Sequence, residues 1–282
     1  MKYKKTIIIK IGKKPGKTLA IFAGVHGNEK IGVTALDKIL QKIKIDYGKV
    51  YFVFANPKAI RVGKRKIKKD LNRTFLPNNN GKTYEDIRAR LLMRILDKSD
   101  ALLDLHAFRY KNGAPFIICE KDSYDLASRM NFKFITSGWD KFDVGSTDGY
   151  MRSLGKQALC LELGPIFQEK KYLPLTMESI MQFLKYYGAV INVNIRYRNR
   201  NQIYIKLRKR IIKKSDKFKF TRQYKTCDRL KSLKVFAKDN KKMYKPKNNE
   251  YILFPDSSGL IGEETCLIAR RLFFNTLGNS RF

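Results

Sequence analysis

From Thr18 to Leu163 the chain alternates short β-branched apolar runs with amphipathic segments of helical period, which confines it to a few layered architectures. Lys5–Ile11 and Thr18–Ala23 read as strands bounded by Gly and Pro. Within Asn28–Lys44, apolar Ile31, Ala35, Leu36, Ile39, Leu40 and Ile43 recur at three- and four-residue steps, one face of a helix. Val50–Ala55 reads as a buried strand. Thr83–Lys98 reads as a helix whose Thr83 and Asp86 have capping-box spacing. Ala101–His106, Pro115–Cys119 and Ala158–Leu163 add strands, Ser123–Met130 and Leu175–Ile191 add helices, and the polar stretch Ile60–Asn80 reads as loop. The expected fold is α/β, a mixed or mostly parallel sheet flanked by helices. Beyond Asn192 the texture changes to short β-like runs such as Gln202–Leu207 and Tyr251–Pro255. The chain is therefore expected to divide into an α/β unit over 1–191 and a smaller C-terminal β-rich domain over 192–282.

At 282 residues and 43% hydrophobic content, the chain has material for an ample core. No apolar run is long enough to span a bilayer, so no membrane partner is expected. Thr6–Ile11 is too short and too β-branched for the apolar part of a signal peptide. Cys119, Cys160, Cys227 and Cys266 are scattered, with no C-x-x-C pair. Together these features predict a cytoplasmic protein with reduced thiols. The net charge is +35, and Arg196–Lys247 holds 21 Lys or Arg against three acids, a net +18. That stretch, 196–247, is where nucleic acid or another polyanion would bind. No helix-turn-helix, zinc-finger or RNP-type motif accompanies it, and solvated lysine-rich faces account for the charge as well.

The chain has only two histidines, His26 and His106. His26 lies in Gly24-Val25-His26-Gly27-Asn28-Glu29, which puts Glu29 three residues on, and His106 ends Asp104-Leu105-His106. Two imidazoles and one carboxylate make a three-ligand set that leaves one position of a tetrahedral ion open, the composition of a catalytic zinc centre. An H-x-x-E tetrapeptide alone says little. Its placement says more: His26 and Glu29 follow the second strand and His106 closes a later one, and ligands of open α/β sheets gather at the carboxyl ends of strands.

Four further runs follow in order: Asn56-Pro57 with Arg65 downstream, Asp70-Leu71-Asn72-Arg73, Arg152-Ser153-Leu154-Gly155-Lys156 and Leu161-Glu162-Leu163-Gly164-Pro165. With the two histidine runs, they resemble the aspartoacylase / succinylglutamate desuccinylase family, the deacylase branch of the zinc carboxypeptidase-like fold. The resemblance is specific over residues 18–165. It continues more loosely through Ile252–Pro255 and Gly262–Glu264, which look like that family's C-terminal β domain. It implies one zinc (Zn2+) per chain held by His26, Glu29 and His106, in a catalytic domain over 1–191. It implies that Glu162 is general base and then general acid, and that Arg65 stabilises the oxyanion. Asn72 and Arg73 would bind the carboxylate of the amino-acid part, Asp70 would orient a neighbouring cation, and Arg152 would meet a second substrate carboxylate. Asp104, two residues from His106 on the same strand face, would orient a ligand or an arginine. The pattern departs from the family at three places. Lys66 stands where the family usually has an aromatic. Asp148 stands where the aspartoacylase substrate-contacting tyrosine belongs. No residue aligns with the family's C-terminal active-site tyrosine.

The expected activity is hydrolysis of a small anionic N-acyl amino acid by metal-activated water. One alternative is a zinc carboxypeptidase acting on peptides, which would use the same metal, base and clamp. Another is a polyanion-binding protein on a degenerate hydrolase fold. Because the placed site residues all precede Pro165, the basic stretch is expected to be dispensable for hydrolysis.

Overall fold

The structure is a computed structural model that describes residues 5–110, 112–195, 201–274 and the backbone of 280–281. Arg196, Arg198 and Arg200 of the basic stretch lie outside these residues. In chain order the elements are β1 (Ile7–Ile11), β2 (Lys14–Ala23), α1 (Lys30–Leu40), β3 (Tyr47–Phe54), α2 (Pro57–Val62), α3 (Tyr84–Leu96), β4 (Ala101–Phe108), β5 (Phe116–Ile118), α4 (Tyr124–Ser128), β6 (Phe134–Ser137), α5 (Thr147–Ser153), β7 (Gln157–Pro165) and α6 (Glu169–Tyr186). Strands follow: β8 (Ile203–Ile212), β9 (Lys219–Phe220), β10 (Asp228–Arg229), β11 (Ala237–Asp239), β12 (Lys242–Tyr244), β13 (Glu250–Leu253), β14 (Glu264–Arg271), β15 (Phe273–Phe274) and β16 (Ser280–Arg281).

One 11-stranded sheet organises the molecule, in the order β1-β3-β2-β4-β7-β5-β6-β8-β14-β13-β10. Its centre is parallel: β2 pairs in parallel with β3 and β4, β4 with β7, β5 with β6, and β6 with β8. The β5–β7 pair is antiparallel, as are β8–β14, β14–β13 and β13–β10, so the sheet is mixed. Because β8 pairs with β6, the sheet runs unbroken through the 191/192 position. Beyond that position the described residues form strands and no helix.

Helices cover both faces of the central strands. On one face α1 and α6 pack over β2, β3, β4 and β7, burying Ile31, Leu36, Ile180 and Phe183 against Ile21, Phe52 and Leu103. On the other, α3 and α5 bury Ala89, Leu92, Leu96 and Met151 against Phe22, Val53 and Leu102. Every residue of β4 is buried, as a central parallel strand covered on both faces requires. Truncating one of these buried leucines to alanine would cost about 2–5 kcal/mol. No helix is long and apolar enough to cross a membrane among the described residues. The four cysteines are free and buried.

The α/β expectation holds, with differences at particular elements. The predicted capping box is present at α3: Thr83 Oγ1 accepts from Asp86 N, and the Asp86 side chain accepts from Thr83 N. The Asn56-Pro57 pair proves to be a helix start. Asn56 accepts from Ala59 N at 3.3 Å, with Pro57 in the first turn where its missing N–H costs nothing. That helix, α2, occupies the beginning of the stretch read as loop. Helix α6 begins six residues before Leu175 and carries Pro174 inside it. Strand β6 and helix α5, too short to show a period, were not visible in the sequence.

Candidate metal centre and active site

The segment between β2 and α1 and the carboxyl end of β4 bring His26, Glu29 and His106 together, with Glu162 of β7 beside them. Gly27 lets the first loop pass close to α2: a Cβ there would lie 2.1 Å from the Ala59 carbonyl carbon. His26 precedes α1 and Glu29 is its N-cap residue. His106 sits near the end of β4, in register with Glu162 on the adjacent β7. His26, Glu29 and His106 are all buried, and one ligand atom from each lies within 4.8 Å of the others. Both histidines turn Nδ1 towards the Glu29 carboxylate, His26 at 2.7 Å and His106 at 3.1 Å. The outward nitrogens are each held by a second carboxylate: His26 Nε2 by Asp70 at 2.9 Å, and His106 Nε2 by Asp104 at 2.9 Å. A neutral imidazole whose Nε2–H donates outward keeps its Nδ1 lone pair inward, the arrangement that ligating histidines need. This donor set of two imidazole nitrogens and a carboxylate fits a zinc-type divalent ion.

The electrostatics are those of a strongly coupled site. Burial would raise the Glu29 pKa, but the charge of His26 and the hydrogen bond from His106 outweigh it and hold the carboxyl well below its usual range. Burial likewise opposes charge on His106, and the Asp104 carboxylate overcomes it, raising that pKa. Glu162 behaves oppositely. Burial and then the Glu29 charge push its pKa up to about 7. Its Oε2 is out of solvent contact and has no hydrogen-bond partner among the described residues.

Arg65 donates to Asp70 through Nε at 3.2 Å and Nη2 at 2.8 Å, and its Nη1 lies 3.6 Å from Glu29. Its loop, the basic run Lys64–Lys69, folds around the buried Glu85 of α3. That carboxylate accepts from the backbone N–H groups of Ile67, Lys68 and Lys69. Asp70 thus pairs with the Arg65 guanidinium and also holds His26 Nε2. Its Oδ1 further accepts from Asn72 N at 2.9 Å, starting the 3-10 turn Leu71–Arg73. The Asn72 Oδ1 accepts from Thr147 N at 3.0 Å, and Arg73 Nη2 donates to Asp143 at 2.7 Å.

These groups line one cavity of about 630 Å³ that holds His26, Glu29, Arg65, Asn72, Arg73, His106 and Glu162. Arg152 is not among its lining residues. Its guanidinium is bound to Asp140 and, at 3.0 Å, to Asp148, with the side chain 8% exposed. It is Asp148 that reaches the cavity wall. Nor is the basic stretch remote from the site, as the sequence suggested. Arg210 of β8 lines the cavity, its Nε 2.5 Å from Glu264 of β14 and its Nη2 3.6 Å from Asp143. Tyr110, Trp139, Asp143, Phe254 and Glu264 complete the wall without belonging to any local motif. Trp139, Asp143, Phe254 and Glu264 come together because β6, β8, β14 and β13 are consecutive in the sheet, and Tyr110 joins them from just beyond β4.

A mixed, helix-covered sheet with a histidine–carboxylate group at its strand ends is a carboxypeptidase-like α/β architecture, and solved structures share it. The succinylglutamate desuccinylase of Vibrio cholerae superposes with a TM-score of 0.78 at 20% identity, covering 96% of this chain and 86% of that one. The enzyme of Vibrio parahaemolyticus gives 0.76 at 20% identity, covering 99% and 90%. Likeness at this identity shows the fold alone. In sequence, the "Probable aspartoacylase" of Nostoc sp. is 32% identical over 170 residues, 53% of this chain and 56% of that protein. The N-acyl-aromatic-L-amino acid amidohydrolase (carboxylate-forming) of Rattus norvegicus is 31% identical over 174 residues, 54% of each. The chain thus spans about half the length of the curated relatives it matches. The family model for the succinylglutamate desuccinylase/aspartoacylase catalytic domain matches residues 15–192, and the chain belongs to that family.

Proposed function

We propose that the chain is a zinc-dependent amidohydrolase that removes the acyl group from an N-acyl amino acid. The observation that carries this reading is the position of Glu162, in register with His106 of the neighbouring strand and with a buried Oε2 that has no hydrogen-bond partner among the described residues. His26, Glu29 and His106 would hold one zinc ion, which when bound polarises the amide carbonyl and makes water acidic enough to attack at neutral pH. Glu162 would accept a proton from the attacking water as its oxygen bonds to the carbonyl carbon. As the C–N bond breaks, the same carboxyl would return that proton to the leaving nitrogen.

Arg65, held by Asp70, would set a fixed positive charge beside the developing oxyanion. Asn72 has its Oδ1 engaged by Thr147, which leaves its amide N–H groups for an anion. With the Arg73 fork it would clamp the carboxylate of the amino-acid part. The names of the matched relatives, aspartoacylase and N-acyl-aromatic amidohydrolase, support this reaction class. The test is zinc content by elemental analysis together with release of free amine from a panel of N-acyl amino acids and of peptides. Amide hydrolysis lost in Glu162→Gln with zinc retained supports the reading. Full turnover by that variant, or turnover of peptides alone, overturns it.

A further inference from the structure

Every arginine on the cavity wall is paired with an acid of the chain itself: Arg65 with Asp70, Arg73 with Asp143, Arg109 with Asp256 and Arg210 with Glu264. The candidate carboxylate clamp is therefore already engaged. Arg73 Nη2 donates to Asp143 Oδ1 at 2.7 Å, and its Nη1 donates to the Asn72 carbonyl at 2.8 Å. A substrate carboxylate reaches this fork only by taking the place of Asp143.

Of these four acids, Asp143 is the one with a second arginine waiting. Arg210 Nη2 lies 3.6 Å from the same Oδ1 that Arg73 holds. Arg210 is itself fixed, by Glu264 at Nε and by the Phe142 carbonyl, which accepts from its Nη2 at 3.0 Å. Asp70, Asp256 and Glu264 pair with no second arginine among the described residues. The difference matters because an acid released from a partly buried ion pair must find another cation or suffer the loss of its partner. Burial pushes the Asp143 pKa above the usual carboxylate range, and Arg73 and then Arg210 offset that in part. The backbone around it is tied down. Asp143 N donates to the Trp139 carbonyl at 2.8 Å, and the Gly145 carbonyl accepts from Phe75 N at 3.0 Å. Closing on Arg210 asks for a side-chain rotation alone.

We infer that Asp143 holds the place of the substrate's carboxylate on Arg73, and that substrate binds by exchange: its carboxylate takes the Arg73 fork as the Asp143 side chain turns to Arg210. This rests on the hydrolase reading above. Asp143 is then a positioning residue that competes with substrate, and Arg210 is the receiver that keeps the displaced charge paired. Apparent affinity is reduced by the fraction of molecules whose fork is free, so weakening the internal pair should tighten binding.

The experiment compares the zinc-loaded full chain with Asp143→Asn, Arg210→Gln and the double variant. Zinc content and melting temperature check that each is folded. The substrates are N-acetyl-leucine, N-acetyl-tyrosine and N-acetyl-aspartate, each beside its α-carboxamide. Asparagine keeps the shape at 143 and replaces a charge-assisted hydrogen bond by a neutral one about half as strong. Asp143→Asn should therefore lower KM about tenfold, with the effect in KM rather than in kcat. The gain should be confined to the free α-carboxylates. Arg210→Gln should raise KM, and most of that rise should vanish in the double variant, where no displaced charge needs a receiver. Trp139 is the chain's single tryptophan and lines the cavity, which gives a readout without turnover. In the Glu162→Gln protein, its fluorescence should respond to the same N-acetyl amino acids at about tenfold lower concentration once Asn stands at 143. Unchanged or weaker binding in Asp143→Asn, an equal gain on the carboxamides, or additive effects of the two substitutions each overturn the exchange and leave the hydrolase reading standing. Hydrolysis of no amide removes the hydrolase reading, and this inference with it.

Discussion

The hydroxyl of Thr147 donates to Asp104, the carboxylate that holds His106 Nε2. The same residue's backbone N–H donates to Asn72 at 3.0 Å. One wholly buried threonine at the start of α5 thus couples the orientation of a candidate metal ligand to the candidate carboxylate clamp. Gly145 makes the approach possible, at φ +80° with its Cα against Arg73: a Cβ there would lie 2.6 Å from the Arg73 carbonyl oxygen. Thr147→Val keeps the shape and removes only the hydroxyl. It should weaken zinc binding, by less than the about 10–100-fold expected for losing Asp104, the partner directly behind His106. Thr147→Ser should restore most of it. Competition against a chelator of known affinity measures this, and equal affinity in the valine variant would count against the coupling.

Zinc content should be one ion per chain and should vanish in His26→Ala and in His106→Ala, because each leaves two donors where a stable site needs three. Elemental analysis of dialysed protein checks this. Stoichiometric zinc in the double variant would place the metal elsewhere.

As a base, Glu162 must be ionised, so kcat/KM should rise with pH and level off above the carboxyl's pKa, which burial and the Glu29 charge push up to about 7 and a bound zinc ion would draw down again. Below that value the rate should fall about tenfold per pH unit. Glu162→Gln should lose about 10²–10⁴-fold and also lose this rise. An acid limb of the wild-type profile that persists unchanged in Glu162→Gln would assign the base to another group.

Arg210 separates the basic stretch into two parts. Lys214, Lys217, Lys219 and Lys225 are exposed, and neutralising them to Gln should leave kcat unchanged. It should also flatten the salt dependence of kcat/KM, since their field reaches only about 10 Å at 0.1 M salt. Lys213 does not belong in that set, being buried and bound to the Gly259 carbonyl at 2.8 Å. Arg210→Gln strips Glu264 and Asp143 of their shared cation. It should lower kcat/KM about tenfold, the loss expected for one charge-assisted hydrogen bond. Steady-state kinetics at two ionic strengths distinguish the two variants.

What the sequence revealed was what local pattern encodes. His26, Glu29 and His106 are few, close to turn signals and attached to apolar strands, and they converge as expected. Glu162 lies between Leu161 and Leu163 in an apolar strand, and its buried Oε2 has no hydrogen-bond partner among the described residues. Asp143, Thr147, Arg210 and Glu264 carry no such signal, because each gains its neighbours from strand order rather than from spacing. Arg152 shows the converse. Its motif was plain, but whether a guanidinium faces the cavity depends on Asp140, twelve residues away, and Asp148, which together hold it behind the wall. Helix α6 was placed six residues late: it starts at Glu169 and continues through Pro174, its sixth residue, whose missing N–H gives up one backbone hydrogen bond.

The pairing of β6 with β8 bears on how such a molecule is handled and how it evolves. Residues 134–137 hydrogen-bond directly to 203–206, so a chain cut after 191 would bare the backbone edge of β6. A bare, hydrophobic sheet edge is a template for self-association. The half that matches the family's catalytic domain would then lose Arg210, Phe254 and Glu264 and gain a sticky flank. Insertions are tolerable in the turns beyond β8, whereas the seam itself admits no hinge: the cavity can change its shape through side chains and loops, but not by one half swinging away from the other.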